Sequence, residues 1–141
     1  MMVKIMNREI LFRAKHIHAM DSNEHLNGTW VHGYLSDKDY IYDKSLEGEF
    51  LVDEDTICQY TGLTDKNGKK IFEGDIVRYG EVCGEVKFGL HESNWQIGKY
   101  NQGFFVTFPK EYLLRNELGY WRNKIVVVGN VFDNPELLEE V

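Results

Sequence analysis

The chain has 141 residues, of which 43% are hydrophobic, 13% aromatic and 28% charged, with 13 glycines, 2 prolines and a net charge of -7. That length suits one ordinary domain that folds without disulfide or metal, and the composition excludes a disordered or low-complexity chain. The acidic balance, with a sequence pI near 5.2, speaks against non-specific binding to nucleic acid, whose affinity comes mainly from Lys and Arg neutralising phosphates.

Aromatics pack well on pleated surfaces and Gly supplies the positive φ that many turns require, so strands joined by tight turns are expected. From Arg8 to Lys15 apolar and charged side chains alternate, which predicts a half-buried strand with Ile10, Phe12 and Ala14 on one face and Glu9 and Arg13 on the other. A polar stretch from Asp21 ends in Asn27-Gly28, a turn signal, and Thr29 to Leu35 reads as the returning strand of a long-looped hairpin. Tyr40-Ile41-Tyr42 and Phe50-Leu51-Val52 read as short strands, with the acidic residues between them in solvated turns. Ile57 to Leu63 leads into Asp65-Lys66-Asn67-Gly68, a turn in which the Asp65 carboxylate can bond amides ahead of it while Asn67 and Gly68 tolerate left-handed backbone angles. Ile71 and Phe72 begin the return path. Ile76 to Tyr79 and the alternating run Glu85-Val86-Lys87-Phe88 are expected as adjacent antiparallel strands. Phe104 to Phe108 is a further strand with Phe104, Val106 and Phe108 on one face, and Pro109, which cannot donate to a ladder, stops it. Lys110 to Leu118 suits a short helix or a covering loop. The aliphatic run within Lys124 to Phe132 reads as a central strand covered on both faces, and Asn134-Pro135-Glu136 as the capped start of a short terminal helix over Pro135 to Glu140. No repeat, linker or second domain is apparent.

Several blocks together resemble the YopX family of phage and prophage proteins. They are Thr61-Gly62-Leu63-Thr64-Asp65-Lys66-Asn67-Gly68-Lys69-Lys70-Ile71-Phe72-Glu73-Gly74-Asp75-Ile76-Val77, Arg8-Glu9-Ile10 with Phe12-Arg13, Gly28-Thr29-Trp30-Val31-His32-Gly33, and Val128 to Leu138. In two respects the chain departs from that pattern: His32 stands where many relatives are expected to carry an aromatic, and the region from Asp37 to Asp53 contributes no recognisable block. The resemblance implies a single mainly β (β-rich α+β) domain over residues 1–141, with an N-terminal β part to about 56 and a small barrel from about 57. It implies a phage-related origin in the cytoplasm of a bacterial host and no established activity. The run Gly74-Asp75-Ile76-Val77, followed by a glycine and an alternating strand, is also similar in outline to small SH3-like barrels.

Each chemical reading competes with a plainer one. His16, His18, Asp21, His25 and His32 are the residues a zinc site could draw on, but the spacing lacks a second tight ligand pair, so solvated surface histidines and no cofactor are expected. Cys58 and Cys83 have no CxxC spacing and no neighbouring His in sequence, so reduced thiols, with Cys58 buried in a strand, outweigh nucleophilic catalysis. Asp55, Asp65, Glu73 and Asp75 cluster at turns, where carboxylates commonly bond backbone amides; Asp75, right after Gly74 at a strand start, is expected as a structural turn carboxylate, which outweighs a role as general base or ion ligand. Lys66, Lys69, Lys70 and Arg78 lie near Tyr60, Phe72 and Tyr79, a combination that could stack bases, against the plainer reading of a soluble hairpin tip over packed aromatics. Trp30, Tyr34, Tyr40, Tyr42, Trp95, Tyr100, Tyr120 and Trp121 exceed what one small core needs and suit a protein partner or a second copy. The longest apolar run, Ile125 to Val128, is far short of the roughly 20 residues that cross a bilayer, so no membrane partner is expected. A non-catalytic protein-binding module is therefore the leading expectation. A nucleic-acid-binding barrel is the alternative, and an enzyme with an unrecognised acidic site the third reading.

Overall fold

Among the described residues, alternating side chains and glycine turns produce ten strands: β1 (Phe12–Lys15), β2 (Trp30–Asp37), β3 (Tyr40–Asp43), β4 (Gly48–Leu51), β5 (Cys58–Thr64), β6 (Lys70–Phe72), β7 (Asp75–Tyr79), β8 (Val82–Glu92), β9 (Tyr100–Thr107) and β10 (Val126–Asn130). Among the described residues there are also a short helix, α1 (Leu118–Trp121), and two 3-10 turns, Glu54–Thr56 and Pro135–Leu138. The structure, a computed structural model, describes residues 10–17, 28–92, 98–109 and 117–139. The mainly β class read from the sequence is the class observed. By contacts the chain divides into two compact units inside β5, the first ending at Tyr60 and the second beginning at Thr61.

In the first unit the strand order is β4-β3-β2-β1-β5, and every registered pair is antiparallel. The register puts Ala14 opposite Val31 and Ile41 opposite Phe50, so one face of the sheet collects Ala14, Val31, Ile41, Phe50 and Val52 as a buried core, with Phe12 and Ile57 against it. Fully burying one such aliphatic side chain stabilises by about 1.5–3 kcal/mol. Asp43 stands among the acids expected to mark solvated turns, yet it is 4% exposed: its carboxylate accepts the His32 amide at 2.9 Å and both the amide and the hydroxyl of Ser45, joining β2 to the β3–β4 turn. Close approach of β2 and β3 requires Gly33, where a Cβ would overlap the Tyr42 carbonyl oxygen. The expected outward face of β1 is corrected in part. Ile10 precedes the strand and is 58% exposed, whereas Arg13 is buried, its guanidinium 4.8 Å from the centre of the Trp30 ring, because its aliphatic stem packs while the cation finds an aromatic face. His16 is also buried rather than solvated; Nδ1 donates to the Leu51 carbonyl at 2.8 Å and the ring meets Phe50 edge-on.

In the second unit β6 neighbours β5, and a four-stranded antiparallel sheet has the order β10-β7-β8-β9. Ile71, Val77, Val86, Val106, Leu118, Trp121 and Ile125 form the buried core, with Phe104 and Phe108 packed on it as the alternation in β9 predicts. The expected barrel is not what forms: β9 and β10 lie at opposite edges of an open sheet, and closure needs them to pair. The outer edge of β10 is already engaged, since the Val127 amide donates to the Asp65 carboxylate and the Lys66 amide to the Ile125 carbonyl. β10 is thus an edge strand of half-buried residues and not the doubly covered central strand expected, and the deeply buried aliphatic of that run is Ile125, just before it. The terminal helix is a 3-10 turn. The Asn134 side chain makes no cap bond to it, because its Oδ1 turns back to accept the Asn130 amide at 3.2 Å.

Candidate interaction surface

The turn motifs that dominate the sequence are structural. Thr61 donates its hydroxyl to the Ile71 carbonyl at 2.8 Å, tying β5 to β6, and Gly62 beside it has φ +87°. Asp65, 6% exposed, accepts the Asn67, Lys69 and Val127 amides, each at 2.9 Å. Burial alone would raise its pKa, but those three amides and the Lys69 ammonium outweigh burial and hold the carboxyl below its ordinary value of 3.8. Gly68 supplies the turn's left-handed angle at φ +86°, and Asn67 does not share it. Asp75 is 2% exposed and accepts the Phe72 amide at 2.7 Å, closing the β6–β7 turn over Gly74. A turn carboxylate in that position is withdrawn from solvent.

The remaining expected site residues fall into different settings. Trp30 is half-buried in the first unit beneath Arg13 and Lys15, and Tyr60 is 8% exposed in the same unit. In the second unit Phe72 is buried, while Lys66, Lys69, Lys70, Arg78 and Tyr79 are exposed. Two of the aromatics offered for base stacking, Tyr60 and Phe72, therefore serve packing. Tyr79 lies 5.0 Å from Trp121 edge-on, and Tyr120 meets the same indole at 5.1 Å. Around them stand two cations the sequence reading passed over: Arg122, whose Nε reaches the Thr64 carbonyl, and Lys124, whose Nζ sits 4.1 Å above the Tyr120 ring. Their signal was the Tyr120-Trp121-Arg122-Asn123-Lys124 run.

Cys58 is buried, its thiol donating to the Thr56 carbonyl, and Cys83 is half-buried. Among the described residues no group of three His, Cys, Asp or Glu is placed to hold a metal ion. His18, Asp21, His25 and Trp95 lie outside the described residues. A hollow of about 220 Å³ lined by Glu85, Thr107, Phe108, Pro109 and Leu138 offers one titratable side chain.

Among the described residues of the second unit, exposed apolar side chains concentrate on the β8–β9 hairpin. The eleven residues of β8 outrun the five of β7, whose register ends at Ile76 opposite Glu85, while β8 and β9 stay paired out to Glu92 opposite Tyr100. Cross-strand partners share a face, so the core pair Val86–Val106 is followed outward by Phe88–Phe104, Leu90–Gln102 and Glu92–Tyr100. The core face thus continues into solvent: Phe88 is 49%, Leu90 66% and Tyr100 56% exposed. On the opposite face His91 is buried against Phe105, the rings stacked at 4.7 Å, next to the facing glycines Gly89 and Gly103.

A family model described as YopX protein matches residues 5–139. The chain belongs to the YopX family. No curated protein matches it. The match of this YopX-family chain spans both units, and so covers the arm formed by β8 and β9 as well as the turn motifs that carried the resemblance.

Proposed function

We propose that this YopX-family chain is a non-catalytic accessory protein of a phage or prophage that works in the host cytoplasm by binding another protein through the β8–β9 arm. One observation carries the reading: Phe88, Leu90 and Tyr100 extend a core face past its third strand into solvent. Contiguous exposed apolar surface on a small protein costs solubility and marks a contact surface. The buried acids support a binding role, since Asp43, Asp65 and Asp75 spend carboxylate oxygens on backbone amides. The test is affinity capture from nuclease-treated host lysate with the intact chain and with Leu90→Lys. A partner held by the former and lost by the latter supports the reading. Equal capture by both variants refutes it.

A second reading rests on Lys66, Lys69, Arg122 and Lys124 around the Thr64–Lys69 turn beside the exposed rings of Tyr79 and Tyr120. Stacking and phosphate contacts there would hold single-stranded nucleic acid, with an affinity that falls steeply as salt rises. The net charge of -7 disfavours it.

A further inference from the structure

We infer that the outer edge of β9 pairs with β9 of a second copy of this chain, which deepens the proposed binding role by joining two arms into one docking face. β9 is the last strand of its sheet, and among the described residues its outer neighbour is Glu117, which meets it at Phe105. That leaves Tyr100-Asn101-Gln102-Gly103-Phe104 as an edge. Exposed edges are ordinarily guarded against self-pairing by Lys, Pro or a bulge, because their amides and carbonyls are ready to join another strand. This edge has none of these: its five residues hold no charge and no proline in a chain that is 28% charged. Charged side chains flank the segment at its ends, where Lys99 precedes Tyr100, Glu92 stands opposite Tyr100 and Glu117 meets Phe105.

The segment is also complementary to itself. Antiparallel pairing about a two-fold axis at Gln102 sets Tyr100 opposite Phe104 of the second copy, an aromatic pair at each end, and lets the two Gln102 amides bond each other. Gly103 falls opposite Asn101, and a Cβ at Gly103 would meet nothing within 4 Å, so the position is open. The axis runs perpendicular to the sheet, which keeps both apolar faces on the same side. With large side chains presenting about 150–250 Å² each, the exposed parts of Phe88, Leu90 and Tyr100 amount to roughly 300 Å² per copy. Merged, they approach about 600 Å², closer to the roughly 800 Å² that one side of a standard protein interface buries.

Sedimentation equilibrium of the intact chain, alone and with Gln102→Glu and Gln102→Lys, tests the pairing. The wild type is expected to dimerise, each variant to weaken the dimer on the order of tenfold or more by placing like charges across the axis, and an equimolar mixture of the two variants to restore it. Restoration in the mixture separates lost pairing from lost folding. A wild type that stays monomeric through the micromolar range, or variants that associate like the wild type, overturns the inference. Because Leu90→Lys leaves the edge intact, it should still dimerise. A monomeric wild type that nonetheless captures a protein through Leu90 would end the dimer and leave the binding role standing.

Discussion

Replacing Asp65 by alanine removes a 6% exposed carboxylate that accepts the amides of Asn67, Lys69 and Val127. A hydrogen bond to a charged group contributes about 1.5–3 kcal/mol net, but the Asn67 and Lys69 amides sit in an exposed turn and can return to water, so the expected loss is about 3 kcal/mol and not the full sum. For a chain of this size that lowers Tm by roughly 10 °C. Asparagine keeps one acceptor oxygen and should lose about half as much. Urea unfolding followed by far-ultraviolet circular dichroism reads the difference from the midpoints at constant m-value. The pH dependence carries the sign. The folded pKa lies below the ordinary 3.8, so Asp65 stabilises fully above that value and its contribution disappears as pH falls through the folded pKa. Wild type and Asp65→Ala should therefore differ at neutral pH and converge in acid. A loss under about 1 kcal/mol, or a difference unchanged in acid, refutes the assignment of Asp65 as the charged clasp between the β5–β6 turn and β10.

Gly33→Ala should destabilise the first unit by about 3 kcal/mol or more, because its Cβ meets the rigid Tyr42 carbonyl, whereas Gly68→Ala, in open space but at φ +86°, should cost about 1 kcal/mol; denaturant midpoints compare the two. Trp121→Ala should cost about 3–5 kcal/mol, since this 4% exposed indole joins Tyr79, Phe108 and Tyr120, and thermal melts will show it. Leu90→Lys, at a 66% exposed position, should change stability by less than about 0.5 kcal/mol in the same melts.

Most strand positions were legible because period-2 alternation and glycine turns are local signals. Val86, Val106 and Phe104 fall on the core face for that reason, and Asp65 took its place as a turn carboxylate. What alternation could not convey is which strand neighbours which. The run Ile125 to Val128 reads as central in any sequence window, and it lies at an edge because the Asp65 turn occupies the side where another strand would pair. Arg13 and His16 look solvated beside their charged neighbours, but Trp30 and the Leu51 carbonyl give them partners that are distant in sequence. The arm was missed for a related reason. Phe88 stands at an apolar position of an alternating run, and its exposure follows only from β8 outrunning β7. Tyr60, offered as an interaction residue, is spent on packing, and Phe72 packs inside as the plainer reading had it.

The claim that the β8–β9 arm is a protein-docking face is tested most directly by placing a photo-crosslinking side chain at Leu90 and, as control, at Tyr120, then irradiating the intact chain in host cells. The account predicts a crosslink from position 90 to one protein other than the chain itself, absent from position 120. Crosslinking from 120 and not from 90, or equal capture from both, would contradict it.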